Sequence, residues 1–136
     1  MYPNSTNKNK VLHPELSYKI VGILFDVHNN LSRFRNEQQY SDAIELELKK
    51  LNIPYKREHR LHKSFEGERD NRNIVDFIID KKIVIEVKAK RALLKEDYFQ
   101  IKRYLISSNY ELGLLINFRT KYLAPKRILN LQQKDL

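Results

Sequence analysis

The stretch Ile74-Val75-Asp76-Phe77-Ile78-Ile79-Asp80-Lys81-Lys82-Ile83-Val84-Ile85-Glu86-Val87-Lys88-Ala89 decides how this chain is read. Two β-branched apolar runs, 74–79 and 83–89, flank a short polar turn at Asp80, Lys81 and Lys82, the pattern of adjacent strands. Both runs nonetheless carry charge. Successive strand residues alternate faces, so Glu86 and Lys88 point together, opposite Ile83, Ile85, Val87 and Ala89. Asp76 shares its face with Ile78, while Val75, Phe77 and Ile79 turn the other way.

Charges inside a core sheet are costly unless they are paired or bind a metal. One reading is a cross-strand ion pair between Lys88 and one of the acids. The other is a hard-metal site. Two converging carboxylates supply oxygen ligands to Mg²⁺, water completes the octahedron, and a phosphate oxygen can replace one water. A nearby ammonium then orients or deprotonates the attacking water, or offsets charge building on the phosphoryl oxygens. Parity sets a condition. Asp76 joins Glu86 and Lys88 only if the hairpin turn has an odd number of residues or a bulge. A two-residue turn at Lys81-Lys82 would set Asp76 against Val87. The expectation is an odd turn, such as 81–83, with Asp76 roughly opposite Lys88.

Upstream, Pro14 and Glu15 suit a first helical turn. Leu16, Ile20, Ile23, Leu24, Val27 and Leu31 then mark one face of a helix of about four turns, within which Gly22 permits close packing. Asn36 with Gln39 resembles a capping box. It opens a second helix from Glu37 to Leu51 that buries Tyr40, Ala43, Ile44, Leu48 and Leu51, with Asn52 closing it and Pro54 preventing its return. A polar edge strand over 55–63 and a charged loop over 64–73 centred on Gly67 lead to the hairpin. Downstream, Leu94, Tyr98, Ile101 and Leu105 mark a third helix, on which Gln100 and Tyr104 form a polar stripe. The apolar run 112–118 reads as a strand covered on both faces, and 127–131 as a last strand. The order α-α-β-β-β-α-β-β is that of a mixed α/β domain over residues 13–136, preceded by a loose polar arm over 1–12.

With 136 residues, 41% of them hydrophobic and 32% charged, the chain suits one domain with a true core. The absence of cysteine excludes disulfides and thiolate-bound metals. No apolar run is long enough to cross a bilayer and the start lacks a signal-peptide core, so the expected compartment is the cytoplasm. Net charge is +9, of which +8 falls after residue 80. Basic residues gathered this way suit a polyanionic partner.

Taken in order, Glu37-x-x-Tyr40, Asp76, Glu86-Val87-Lys88 and Gln100-x-x-x-Tyr104 make the chain resemble the GxxExxY family of the PD-(D/E)XK nuclease superfamily. The likeness runs from about Glu15 to Leu131. It includes Glu15-Leu16-Ser17-Tyr18-Lys19-Ile20-Val21-Gly22, Asp26-Val27-His28 and Gly113-Leu114-Leu115-Ile116-Asn117-Phe118. The resemblance implies a restriction-endonuclease-like core, with a central mixed sheet flanked by helices, and a Mg²⁺-dependent phosphodiesterase centre in which Mn²⁺ substitutes. Asp76 and Glu86 would ligate the metal, and Lys88 would activate water or stabilise charge. Glu37 would reach the metal directly or through water. Gln100 and Tyr104 would support the site or contact nucleic acid, as in RecB-like nucleases.

The sequence departs from the family at Phe34, where the naming glycine should fall, and at Val75, where proline often precedes the aspartate. His28 fits the family pattern, either near the metal or as a hydrogen-bonded helix histidine. The expected partner is nucleic acid, DNA in the leading reading, with Lys90, Arg91, Lys95, Lys102, Arg103, Arg119 and Lys121 holding its backbone. A homodimer is compatible with the sequence. The alternative is a catalytically weak or inactive nucleic-acid-binding or accessory module on the same fold.

Overall fold

A computed structural model describes residues 12–131. Among these, three helices, α1 (Pro14–Leu31), α2 (Glu37–Lys50) and α3 (Lys95–Ser108), flank five strands. The strands are β1 (Tyr55–Arg60), β2 (Ile74–Ile79), β3 (Ile83–Lys88), β4 (Leu112–Asn117) and β5 (Lys126–Leu129), which form one sheet in the order β1-β2-β3-β4-β5. Neighbours are antiparallel except β3 and β4, which run parallel because α3 carries the chain back across the sheet. This is the mixed α/β architecture expected from the element order. The expected arm over 1–12 lies outside the described residues except for Leu12, which packs against the core.

Each face of the sheet has its own apolar cluster. On one, Ile20, Ile23, Leu24 and Val27 of α1 and Tyr40, Ile44 and Leu48 of α2 pack on Phe77, Ile79, Ile85, Val87, Leu114 and Ile116. On the other, Ile101, Tyr104 and Leu105 of α3 pack on Val75, Ile78, Val84 and Leu115. β4 is buried along its whole length, as its unbroken apolar run requires. At Gly113 the sheet and α3 approach too closely to admit a side chain. A Cβ there would sit 2.7 Å from Ile101 Cδ1. The close packing expected at Gly22 is absent: that position is exposed, and beyond its chain neighbours and its own helix backbone no described atom lies within 4 Å of a Cβ.

The capping box forms as read. Asn36 Oδ1 accepts from the Gln39 amide, and Gln39 Oε1 accepts from the Asn36 amide, each at 2.9 Å. At the other end Leu51, expected in the core, is 53% exposed. The helix closes there in a Schellman turn. Asn52 adopts φ 55°, its amide bonds to Lys49 O, and the Ile53 amide bonds to Leu48 O at 3.0 Å. That turn rotates Leu51 outward and puts Ile53 in the core instead. β1 stops at Arg60 rather than Lys63, because Leu61 turns inward and its amide bonds to Asn73 O. Leu94 likewise precedes α3 and stays exposed.

Candidate active site

The β2–β3 hairpin turns through Asp80, Lys81 and Lys82, an odd number, between the paired residues Ile79 and Ile83. The turn is one position earlier than the 81–83 expectation. Ile83 is fully buried, so the strand keeps it, and Asp80 and Lys81 take the left-handed conformations instead, with φ 48° and 56°. Continuing the register 79↔83, 78↔84, 77↔85 sets Asp76 against Glu86 rather than Lys88.

Backbone pairing between the strands ends at Phe77↔Ile85. Beyond it, side chains take over. The Asp76 amide donates to Glu86 Oε1 at 3.2 Å, and Asp76 Oδ2 accepts from the Val87 amide at 2.7 Å. Simple alternation fails at this point. Val75 and Ile78, three residues apart, both lie in the α3-side cluster, whereas Phe77 lies in the other. On the neighbouring strand Glu58 has φ 51°, and it falls at the gap between the pairs 57↔77 and 59↔75. Face alternation is therefore broken around Asp76, whereas its pairing with Glu86 follows from the three-residue turn and the hairpin register.

Both carboxyls are held above their usual range. Burial is the main cause for Asp76, and the negative charge of Glu37 adds to it against the opposing Val87 amide and Lys88. Burial and then the charge of Asp76 push Glu86 up to about 8. Two like charges this close cannot both ionise freely, so the pair titrates as a unit.

Lys88 is half-buried on the same face as Glu86. Its Nζ donates to Gln100 Oε1 at 3.1 Å and lies 3.9 Å from Asp97 Oδ1. Gln100 also bonds to Tyr104, whose hydroxyl is held above its ordinary pKa by burial and by the charge of Glu86. Tyr104 is 4% exposed and packs in the α3-side cluster. Glu37, the first residue of α2, reaches across the end of the sheet, where its Oε2 accepts from the Ala89 amide at 3.3 Å. It does not gather with Asp76 and Glu86 into a cage: among the described residues no group of three or more His, Asp or Glu side chains is assembled around a common point. His28 is a hydrogen-bonded helix histidine, its Nε2 lying 2.9 Å from Thr120 O.

Two supports had no place in the sequence reading. Asp97 binds Lys90 Nζ at 2.9 Å, accepts from the Leu94 amide at 2.7 Å, and faces Lys88. The Leu94-x-x-Asp97 spacing at the start of a helix was the available signal. Asn117 brackets Lys90, accepting from its amide at 3.0 Å and donating to its carbonyl at 2.8 Å. Among the basic residues, Arg91 and Lys95 are exposed. Lys90 is engaged by Asp97, Lys102 donates to Leu129 O, and Arg119 donates to Ala89 O at 3.2 Å. Arg103 lies over the Tyr104 ring and Lys121 over that of Tyr122.

A mixed sheet whose hairpin presents an aspartate, a glutamate and a lysine at one end defines a class of α/β proteins built around an Asp…Glu-x-Lys constellation. The chain belongs to the PD-(D/E)XK nuclease superfamily, whose model matches residues 14–128. The crystal structure of SSO0001 shares the fold with a TM-score of 0.50 at 23% identity, over 95% of this chain and 61% of that one. This chain thus spans less than two thirds of that protein's length. No curated protein sequence matches it. No described helix is long and apolar enough to cross a membrane.

Proposed function

We propose that the chain is a Mg²⁺-dependent nuclease of the GxxExxY type that hydrolyses phosphodiester bonds, with DNA as substrate. The observation that carries this reading is the hairpin register that opposes half-buried Asp76 to buried Glu86, with Lys88 close enough to act on both charges. Their chemistry fits a hard divalent cation: both are oxygen donors, both are desolvated, and each is raised by its surroundings in a way that a dication would relieve. Asp76 and Glu86 would hold such an ion, which would supply Lewis acidity and an acidified water.

The chain's own residues do the rest. Gln100 and Asp97 hold Lys88 on the Glu86 side of the sheet, where its ammonium orients the attacking water or neutralises charge on the phosphoryl oxygens. Tyr104 fixes Gln100 from the core. Glu37, bonded to the amide that follows Lys88, would reach the ion through water. Arg91 and Lys95 are free to hold phosphates, whereas Lys90 serves to orient Asp97.

Nicking of supercoiled plasmid with Mg²⁺ or Mn²⁺ tests the reading. Wild type should nick, and Asp76→Ala and Lys88→Ala should not. Equal activity in all three ends the proposal. Glu37's engagement with Ala89 favours a second reading, a nucleic-acid-binding module without efficient chemistry. Mn²⁺ calorimetry without heat would support it.

A further inference from the structure

We propose that Phe34 is a stacking platform for an unpaired nucleobase, which makes single-stranded or frayed nucleic acid the preferred substrate class. This assignment of substrate rests on the nuclease reading above, though the platform itself is independent of catalysis. Phe34 lies between α1 and α2 and is 76% exposed. Its exposure is not that of a slack loop. Ser32 is tied by its amide to His28 O, and Tyr40 Oη donates to Ser32 O at 2.6 Å while accepting from the Arg35 amide. The Tyr40 ring is fully buried and stacks on Phe118 at 4.3 Å. The segment is thus clamped to the core from both ends, and the clamp holds a large apolar ring out in water.

What surrounds the ring indicates its occupant. The Arg33 guanidinium sits over it, 5.2 Å from the centroid. Phe34 and Arg35 line a cleft of about 470 Å³ with Glu37, Ala89 and Arg119. Of the last three, Glu37 and Arg119 each bond to the backbone of Ala89, directly after Lys88 at the end of β3. A base on Phe34 therefore lies on the path of a strand whose phosphate reaches the carboxylates, and Arg35 and Arg119 meet its backbone. Aromatic faces combined with arginines are how proteins grip single strands, since every base offers a π-face and each phosphate a charge. In a duplex those faces are already stacked on neighbouring bases, so a blunt duplex cannot use the platform.

The chain contains no tryptophan, so Phe34→Trp provides the only indole signal. Titrated with a short oligothymidylate in EDTA, where no hydrolysis occurs, F34W should lose fluorescence as bases stack. Phe34→Ala should weaken oligothymidylate binding by about 5–150-fold, the usual worth of one stacked base, and leave binding of a blunt duplex essentially unchanged. Absence of quenching overturns the proposal, as does equal weakening for both nucleic acids. So does a wild-type dimer that becomes a monomer in Phe34→Ala, because the ring would then be packed between two copies. If quenching and the selective loss are seen but Asp76→Ala still cleaves like wild type, the platform stands and the nuclease reading falls.

Discussion

Asp76 and Glu86 meet at the place where the β2–β3 hairpin stops pairing through its backbone: the Asp76 amide bonds to the Glu86 carboxyl, and the Asp76 carboxylate bonds to the amide following Glu86. The exchange satisfies donors that the end of backbone pairing would otherwise leave unpaired, and it confines two acids to one desolvated spot. Proton and cation therefore compete for the same oxygens.

Metal binding should release a proton. With Glu86 held up to about 8, the free protein carries a proton on this pair at neutral pH, and a dication must displace it. Mn²⁺ affinity is expected to rise about tenfold per pH unit up to roughly pH 8 and then level off. Calorimetry in buffers of different ionisation enthalpy measures this directly. Release near one proton at pH 7 and near none at pH 9 is the expected result. A pH-independent affinity would contradict it.

The same shift has a cost for the metal-free fold. A carboxyl whose folded pKa is raised favours the folded state while both states are protonated, and that advantage is lost as pH climbs from the ordinary carboxyl range through the folded pKa. Stability attributable to Glu86 should therefore fall between about pH 4.5 and 8. Glu86→Gln removes the titration. Its melting temperature should resemble wild type at pH 4 and exceed it at pH 9 by several degrees, on the order of 1–3 kcal/mol. A constant difference across pH would show that the charge of Glu86 is not the cause.

Gln100→Ala should act on Lys88 rather than on the ion. It removes the acceptor that holds the ammonium at 3.1 Å, while leaving both carboxylates and their amide bonds intact. The expected effect is a fall in kcat of roughly 10–100-fold, within the range for losing orientation of one charged catalytic group. Mn²⁺ affinity should stay within about twofold. A large loss of Mn²⁺ binding instead would move Gln100 into the cation's surroundings.

The hairpin, the helices and their order could be read from periodicity, because hydrophobic spacing is set by which face each residue buries. Parity even required an odd turn. What it could not supply was the break in face alternation around Asp76. The Val75 and Ile78 pair, both in the α3-side cluster, breaks a two-residue period through a distortion shared with Glu58 on another strand, and no local pattern in 74–79 carries that information. Leu51 was misplaced for a similar reason: the Schellman turn at Asn52 hands its core position to Ile53. Asp97 and Asn117 went unread because their work is to hold Lys90 and Lys88, and those contacts exist only once α3 has packed on the sheet, for Asp97, and β4 has paired with β3, for Asn117.

Tyr40→Phe separates the clamp from the core. The ring sits fully buried against Phe118 and would stay there in the variant, so packing is kept. What goes is the hydroxyl, which donates to Ser32 O and accepts from the Arg35 amide. The loss of these two bonds should lower stability by about 1–2 kcal/mol, read as an earlier midpoint in urea with an unchanged slope. Released from Tyr40, the segment carrying Phe34 would sample more conformations, and Glu37 three residues on would lose part of its placement against Ala89. Cleavage should therefore drop further than the stability change alone predicts, by about 5–20-fold at a temperature where the variant is fully folded. Full activity in a Tyr40→Phe protein destabilised by this amount would mean that the hydroxyl serves the fold and not the site.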